Sequence, residues 1–98
     1  MSAYIIAEVE VGDPTTYETY IAQTPGVIER FGGRFIVRGG TAEALEGAAP
    51  AGRLVVIEFP DVATARRFYE APEYQAIIGI RHQAATSRLV LVEGLPQG

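Results

Sequence analysis

The chain has 98 residues, 48% of them apolar, with no cysteine and with eight cations, all arginine, against twelve acids, a net charge of −4. That length suits a single domain over residues 1–98, built around one core. Missing cysteine excludes disulfides and thiolate chemistry, missing lysine excludes Schiff-base catalysis, and the acidic balance argues against a nucleic-acid surface.

No apolar run nears the ~20 residues of a membrane-spanning helix, and Met1-Ser2-Ala3-Tyr4 places no basic stretch before a hydrophobic one. A cytoplasmic setting without membrane contact is therefore expected. The all-arginine cation set has two readings: genomic base composition, or a need for bidentate contacts with carboxylate or phosphate.

In chain order, a β-branched and aromatic stretch from about Ala3 to Val11 predicts a first strand. Asp13 suits an N-cap and Pro14 the first helical position, where a missing N–H costs nothing. Tyr17, Tyr20, Ile21, Val27, Ile28 and Phe31 then recur at spacings of three and four, one apolar helix face. Pro25 inside that pattern should kink or restart the helix near Gln23-Thr24. Gly32-Gly33 ends it, and Arg34–Arg38 predicts a second strand. The Ala-, Gly- and Pro-rich segment from Thr41 to Gly52 reads as an extended excursion, with a short edge strand at Glu43–Gly47. Arg53–Phe59 predicts a third strand, and Asp61 caps a helix with Val62, Ala65, Phe68 and Tyr69 inward. Ala71-Pro72 breaks that helix and starts another through Tyr74, Ile77, Ile78 and Arg81. A fourth strand runs from about Ser87 to Glu93, before a tail at 95–98.

Strand, capped helix, strand thus occurs twice, in 3–38 and 53–93. Written β-α-β-β-α-β, this is the α+β ferredoxin-like pattern, with a four-stranded antiparallel sheet. First and third strands are expected in the centre and parallel, placing Glu8 and Glu58 at matching heights. Right-handed crossovers put the helices on one sheet face, so the other face should alternate to polar. It does not: Ile5 and Ala7 oppose Tyr4 and Ile6, Leu54 and Val56 oppose Val55 and Ile57, and Leu89 and Leu91 oppose Val90 and Val92. A second apolar face must be covered, and a homodimer with sheets packed face to face is expected.

Four blocks carry a resemblance. Tyr4–Val9, Phe31-Gly32-Gly33-Arg34-Phe35-Ile36-Val37-Arg38-Gly39-Gly40, Arg53–Pro60 and Pro72-Glu73-Tyr74-Gln75 resemble the domain-of-unknown-function 1330 family over nearly the whole chain. The resemblance implies the dimeric α+β barrel group, whose members include cofactor-independent monooxygenases, haem-degrading enzymes and muconolactone isomerase-like proteins. It implies no catalytic residues, because the family has no established activity.

Candidate chemistry comes from three places. Antiparallel neighbours should bring Arg88 to Glu8 or Glu10 and Arg34 to Glu58; Glu58 is then either a base with a raised pKa or one half of a cross-strand ion pair. Tyr69, Tyr74, Arg81 and His82 gather on the last helices, beside a pocket between helices and sheet that would have apolar walls and a few polar tips. His82, the only histidine, is a candidate base or haem ligand, or simply exposed. No second histidine or cysteine exists to build a zinc site, and no metal or cofactor is expected. Arg38-Gly39-Gly40 lacks phosphate-loop spacing and reads as a turn, yet Arg38 beside Arg53 could hold a carboxylate. The candidate set is Glu58 and His82 for catalysis, and Arg38, Tyr69, Tyr74 and Arg81 for ligand binding. The expected function is a small-ligand-binding homodimer, with cofactor-free oxygenase or isomerase chemistry as an extension and a non-catalytic dimeric module as the rival.

Overall fold

The Asp13 carboxylate accepts hydrogen bonds from the Thr16 amide at 3.2 Å and the Thr16 hydroxyl at 2.6 Å, and so starts the long helix α1, Pro14–Arg30. The computed structural model describes residues 1–96. Around α1 it places β1 (Ala3–Val11), β2 (Arg34–Arg38), β3 (Arg53–Phe59), α2 (Val62–Glu70), α3 (Pro72–Ala84) and β4 (Ala85–Glu93). Asp61 repeats the capping device, accepting from the Thr64 amide at 2.7 Å. Among the described residues no helix is long and apolar enough to cross a membrane.

Pro25 does not interrupt α1, contrary to expectation. The proline withholds the N–H that the Ile21 carbonyl would accept, and the Thr24 hydroxyl bonds back to the neighbouring Tyr20 carbonyl at 2.6 Å without replacing it. Beyond it Val27 and Ile28 are buried, so tertiary packing against α3 carries the helix through a weak point. The helix ends in a Schellman arrangement: Gly32, at φ 74°, donates to the Glu29 carbonyl and Gly33 to the Ile28 carbonyl, both at 3.0 Å. The short edge strand expected at Glu43–Gly47 is also absent. That segment is irregular and exposed, with Leu45 at 89% exposure, because it has no apolar alternation to seat on the sheet. β4 starts two residues early, where the Gly12 and Asp13 amides both donate to the Ala84 carbonyl.

The sheet order is β2-β3-β1-β4, with every neighbouring pair antiparallel. The expected parallel pairing of β1 and β3 is therefore wrong. The α1 crossover leaves β1 and β2 parallel with a gap one strand wide, and β3, returning from β2, fills it in the opposite direction. Tyr4 then pairs with Glu58 and Glu8 with Leu54, so the two glutamates lie toward opposite ends rather than at one height. The expected ion pairs do form, Arg34 Nε to Glu58 Oε1 at 2.8 Å and Arg88 Nη2 to Glu8 Oε2.

All three helices cover one sheet face. Ala3, Ile5, Ala7 and Val9 of β1 and Val55, Ile57 and Phe59 of β3 are buried beneath Ile28, Phe68, Tyr74 and Ile78. The opposite face carries Tyr4, Ile6, Leu54, Val56, Val90 and Val92. Ile6, Val90 and Val92 are each more than a third exposed.

One irregularity in β2 re-aims a charged side chain. Phe35 pairs with Ile57, but a bulge then sets Val37 against Val56 and Arg38 against Val55. Strict alternation would have put Val37 with Phe35 on the helix side. The bulge sends Val37 to the open face and Arg38 to the helix face.

Four carboxylates are held below their ordinary values. The Arg34 side chain does this to Glu58, the Ala51 amide and then Arg88 to Glu8, and the helix caps to Asp13 and Asp61. A depressed carboxylate stabilises the fold above its unfolded value, 4.5 for glutamate here, and that stability drains away as pH falls through the folded value. Thermal melts should therefore stay flat from neutrality to about pH 5 and then drop progressively below about pH 4.5. Melting temperatures that held constant down to pH 3 would show these contacts to be energetically idle.

Candidate ligand site

Between the helix face of the sheet and α1 and α3 lies a cavity of about 50 Å³. Its floor is Ile5, Ala7, Val9, Val55, Ile57 and Leu89, and its walls are largely aromatic. α1 presents Tyr17, Tyr20 and Thr24 at helical spacing, α3 presents Tyr74 and Arg81, and the bulged end of β2 presents Arg38 beside Arg53 of β3. The polar groups are thus arginine, tyrosine and threonine, and no acid lines the cavity among the described residues.

Tyr20 and Tyr74 meet with their hydroxyls 2.6 Å apart. Burial is the main reason the Tyr74 phenol is raised well above its ordinary value, and burial likewise raises Tyr17 against the opposing pull of Arg53, Arg81 and Arg38. Both of these phenols are therefore protonated at neutral pH. Arg81 is 3% exposed; its Nη1 donates to Ser87 Oγ at 3.1 Å while its Nε has no partner. Arg53 Nε is also buried without a partner. The three guanidinium groups lean on rings: Arg38 over Phe35 at 4.4 Å, Arg53 over Tyr17 at 5.9 Å and Arg81 over Tyr20 at 5.8 Å.

Gly39 helps place Arg53. It sits at φ 73°, a conformation that favours glycine, and a Cβ there would lie 2.7 Å from Arg53 Nη2, so any other residue would strain the turn and push the guanidinium aside.

Of the residues singled out from sequence, Arg38, Tyr74 and Arg81 come together at this cavity. Tyr69 stands outside it, its ring 5.7 Å from Tyr74 and its side toward a shallow depression shared with His82, Thr86 and Ser87. His82 is exposed and does not reach the cavity. Glu58 lies on the opposite sheet face, where Arg34 holds it ionised and the Tyr4 hydroxyl donates to it at 3.4 Å. Its environment lowers its pKa, the reverse of the shift a poised base would need. Tyr17 and Tyr20, placed by their spacing on the apolar face of the first helix, are buried and also line the cavity. The signal for them was present: phenols at 17 and 20 and a hydroxyl at 24 fall on one helix face.

Four antiparallel strands with three helices on one face, and a cavity between the layers, define a ferredoxin-like α+β domain. The chain belongs to the family described as domain of unknown function (DUF1330), whose model matches residues 2–95. A solved structure of RPA0582, a protein of unknown function from Rhodopseudomonas palustris, is 25% identical, with TM-score 0.70 over 98% of this chain and 84% of that one. SnoaB, a cofactor-independent oxygenase from Streptomyces nogalater, is 18% identical, with TM-score 0.64 over 98% of this chain and 95% of that one. HapK from Hahella chejuensis is likewise 18% identical, with TM-score 0.66 and the same coverages. No curated protein matches the chain. At such identities the last two establish the fold alone.

Proposed function

We propose that the protein works as a homodimer closed through its open sheet faces, each subunit holding a small organic ligand in the cavity between sheet and helices. The observation that carries the ligand reading is the cavity itself, apolar in its floor and tipped by Tyr20, Tyr74, Arg38, Arg53 and Arg81. That is the composition of sites which bind by burial and orient by a few polar groups, and at about 50 Å³ the space suits a ligand of only a few heavy atoms. The dimer is supported by Ile6, Val56, Val90 and Val92 on a face that none of the described residues covers fully, next to the excursion at Ala48–Pro50. Stable dimers bury roughly 800 Å² per partner, a span available on a four-stranded sheet.

A second reading adds chemistry without a cofactor to the bound ligand. It is favoured by the Tyr20–Tyr74 hydroxyl pair, which sits beside a buried cation and could pass a proton while the cation stabilises developing negative charge. Since this fold hosts many activities, the description of SnoaB does not decide between the readings. Glu58 and His82, which lie away from the cavity, have no role in either.

Native mass spectrometry of gently purified protein should show two chains carrying a small adduct that is lost on activation. An adduct whose mass changes on exposure to air, but not under nitrogen, supports catalysis, whereas an unchanged one supports a binding module. Bare dimers that no small-molecule library stabilises against heat would dispose of the ligand reading, and single chains at micromolar concentration would dispose of the dimer.

A further inference from the structure

We infer that the cavity selects organic monocarboxylates, with the buried guanidinium of Arg81 as the anchor and Arg53 and Arg38 completing a cationic end; this rests on the ligand reading above and narrows it to one chemical class.

Arg81 is a charge without a counter-charge. It sits on α3 at 3% exposure, and a guanidinium stays charged at any physiological pH. Burying a cation without a counterion is among the most unfavourable arrangements a fold can keep. Among the described residues the two ion pairs are Arg34–Glu58 and Arg88–Glu8, both formed by side chains other than those lining the cavity. Arg81 has only the Ser87 hydroxyl on Nη1, which leaves its Nε side open. Arg53 repeats the pattern independently, from a different element, with its own buried Nε unpartnered.

The neighbours do not supply what is missing. Tyr17, Tyr20 and Tyr74 bring hydroxyls, the Thr24 hydroxyl being donated to the Tyr20 carbonyl, and burial keeps the Tyr17 and Tyr74 phenols protonated. In the Tyr20–Tyr74 pair one phenol donates to the other, and the accepting phenol keeps its own proton for a further acceptor. A site crowded with donors and cations, and lacking acids, is complementary to a negatively charged acceptor. The remaining surface is Ile5, Val55, Ile57, Phe35 and Leu89, so the rest of the ligand is apolar. A carboxylate on an apolar body fits both ends, since its two oxygens match the paired N–H groups of a guanidinium edge.

The test compares acid with amide. Acetate, propionate and butyrate, monocarboxylates small enough for a cavity of about 50 Å³, are each titrated calorimetrically into the purified protein beside their neutral amides, with inorganic phosphate as a further probe. At least one carboxylate should bind at least tenfold more tightly than its amide and than phosphate. Acid and amide binding equally would leave the cavity reading standing and overturn the carboxylate inference, as would phosphate binding equally well. Neither kind binding at millimolar concentration would overturn both.

Arg81→Met separates anchoring from structural support. Removing an uncompensated buried charge while keeping an apolar stem should leave the melting temperature of the free protein unchanged or raised, and should abolish stabilisation by carboxylate. An Arg81→Met protein that melts lower yet keeps the acid-over-amide preference would show Arg81 to be a structural residue. If that variant does not fold, the acid–amide comparison on the native protein still decides the matter, and Arg53→Met should weaken carboxylate binding several-fold without touching α3.

Discussion

Replacing Phe68 by alanine should destabilise the fold by about 3–5 kcal/mol, the usual cost of emptying a fully buried aromatic site. Phe68 is the hub of the aromatic core. Its ring lies 4.5 Å from that of Tyr74, 5.2 Å from Phe59 and 6.2 Å from Phe31, joining β3, α2, α3 and the end of α1. No neighbour can relax into the space without giving up its own ring contacts, so the cavity term stays large. For a domain of this size the melting temperature should fall by roughly 15 °C or more, measured at fixed chain concentration because any self-association would add to apparent stability. A fall of under 5 °C would mean that the core repacks freely, and the rigid walls assigned to the ligand cavity would lose their basis.

The second large effect concerns assembly. Ile6→Arg combined with Val90→Arg places two charges at cross-strand partners in the middle of the open face, where β1 and β4 pair Ile6 with Val90. If that face is the dimer contact, burying two unpaired guanidiniums should weaken association at least 100-fold, since central contacts are commonly worth about 2 kcal/mol or more each. Analytical ultracentrifugation should then show single chains at concentrations where the parent is dimeric. The helical content should remain, because neither residue belongs to the core beneath the helices. Glu18→Arg, on the exposed side of α1, is the control and should leave the dimer intact. A doubly substituted protein that stays dimeric would move the interface elsewhere.

Much of the fold was legible because its signals are local. Asp13-Pro14 and Asp61 mark helix starts, since a carboxylate on the first free amides works the same way in any context. Ala71-Pro72 marks the break between α2 and α3 for an equally local reason. The Arg34–Glu58 and Arg88–Glu8 pairs could be anticipated because each joins strands whose antiparallel pairing follows from chain order. Pro25 misled, because a local penalty was outweighed by Val27 and Ile28 packing further along α1. The relative direction of β1 and β3 also follows from chain order, since the α1 crossover leaves β1 and β2 parallel and the return from β2 reverses β3; the expectation of a parallel pair overlooked that reversal.

The candidate site divides along the same line. Tyr74, Ile77, Ile78 and Arg81 share an α3 face by spacing alone, so Arg81 could be suspected as a cavity residue. Its lack of a carboxylate partner, and the Tyr20–Tyr74 contact across 54 positions, could not be read in advance. Nor could the position of Arg38, which depends on one inserted residue at a bulge.

What the residues determined by themselves was the order of elements, their caps, and an apolar surplus on both sides of the sheet, because propensity and periodicity act within a few residues. Only the tertiary structure decided which charges are paired and which converge unpaired on a cavity, because burial and hydrogen bonding depend on which distant segments arrive at the same place.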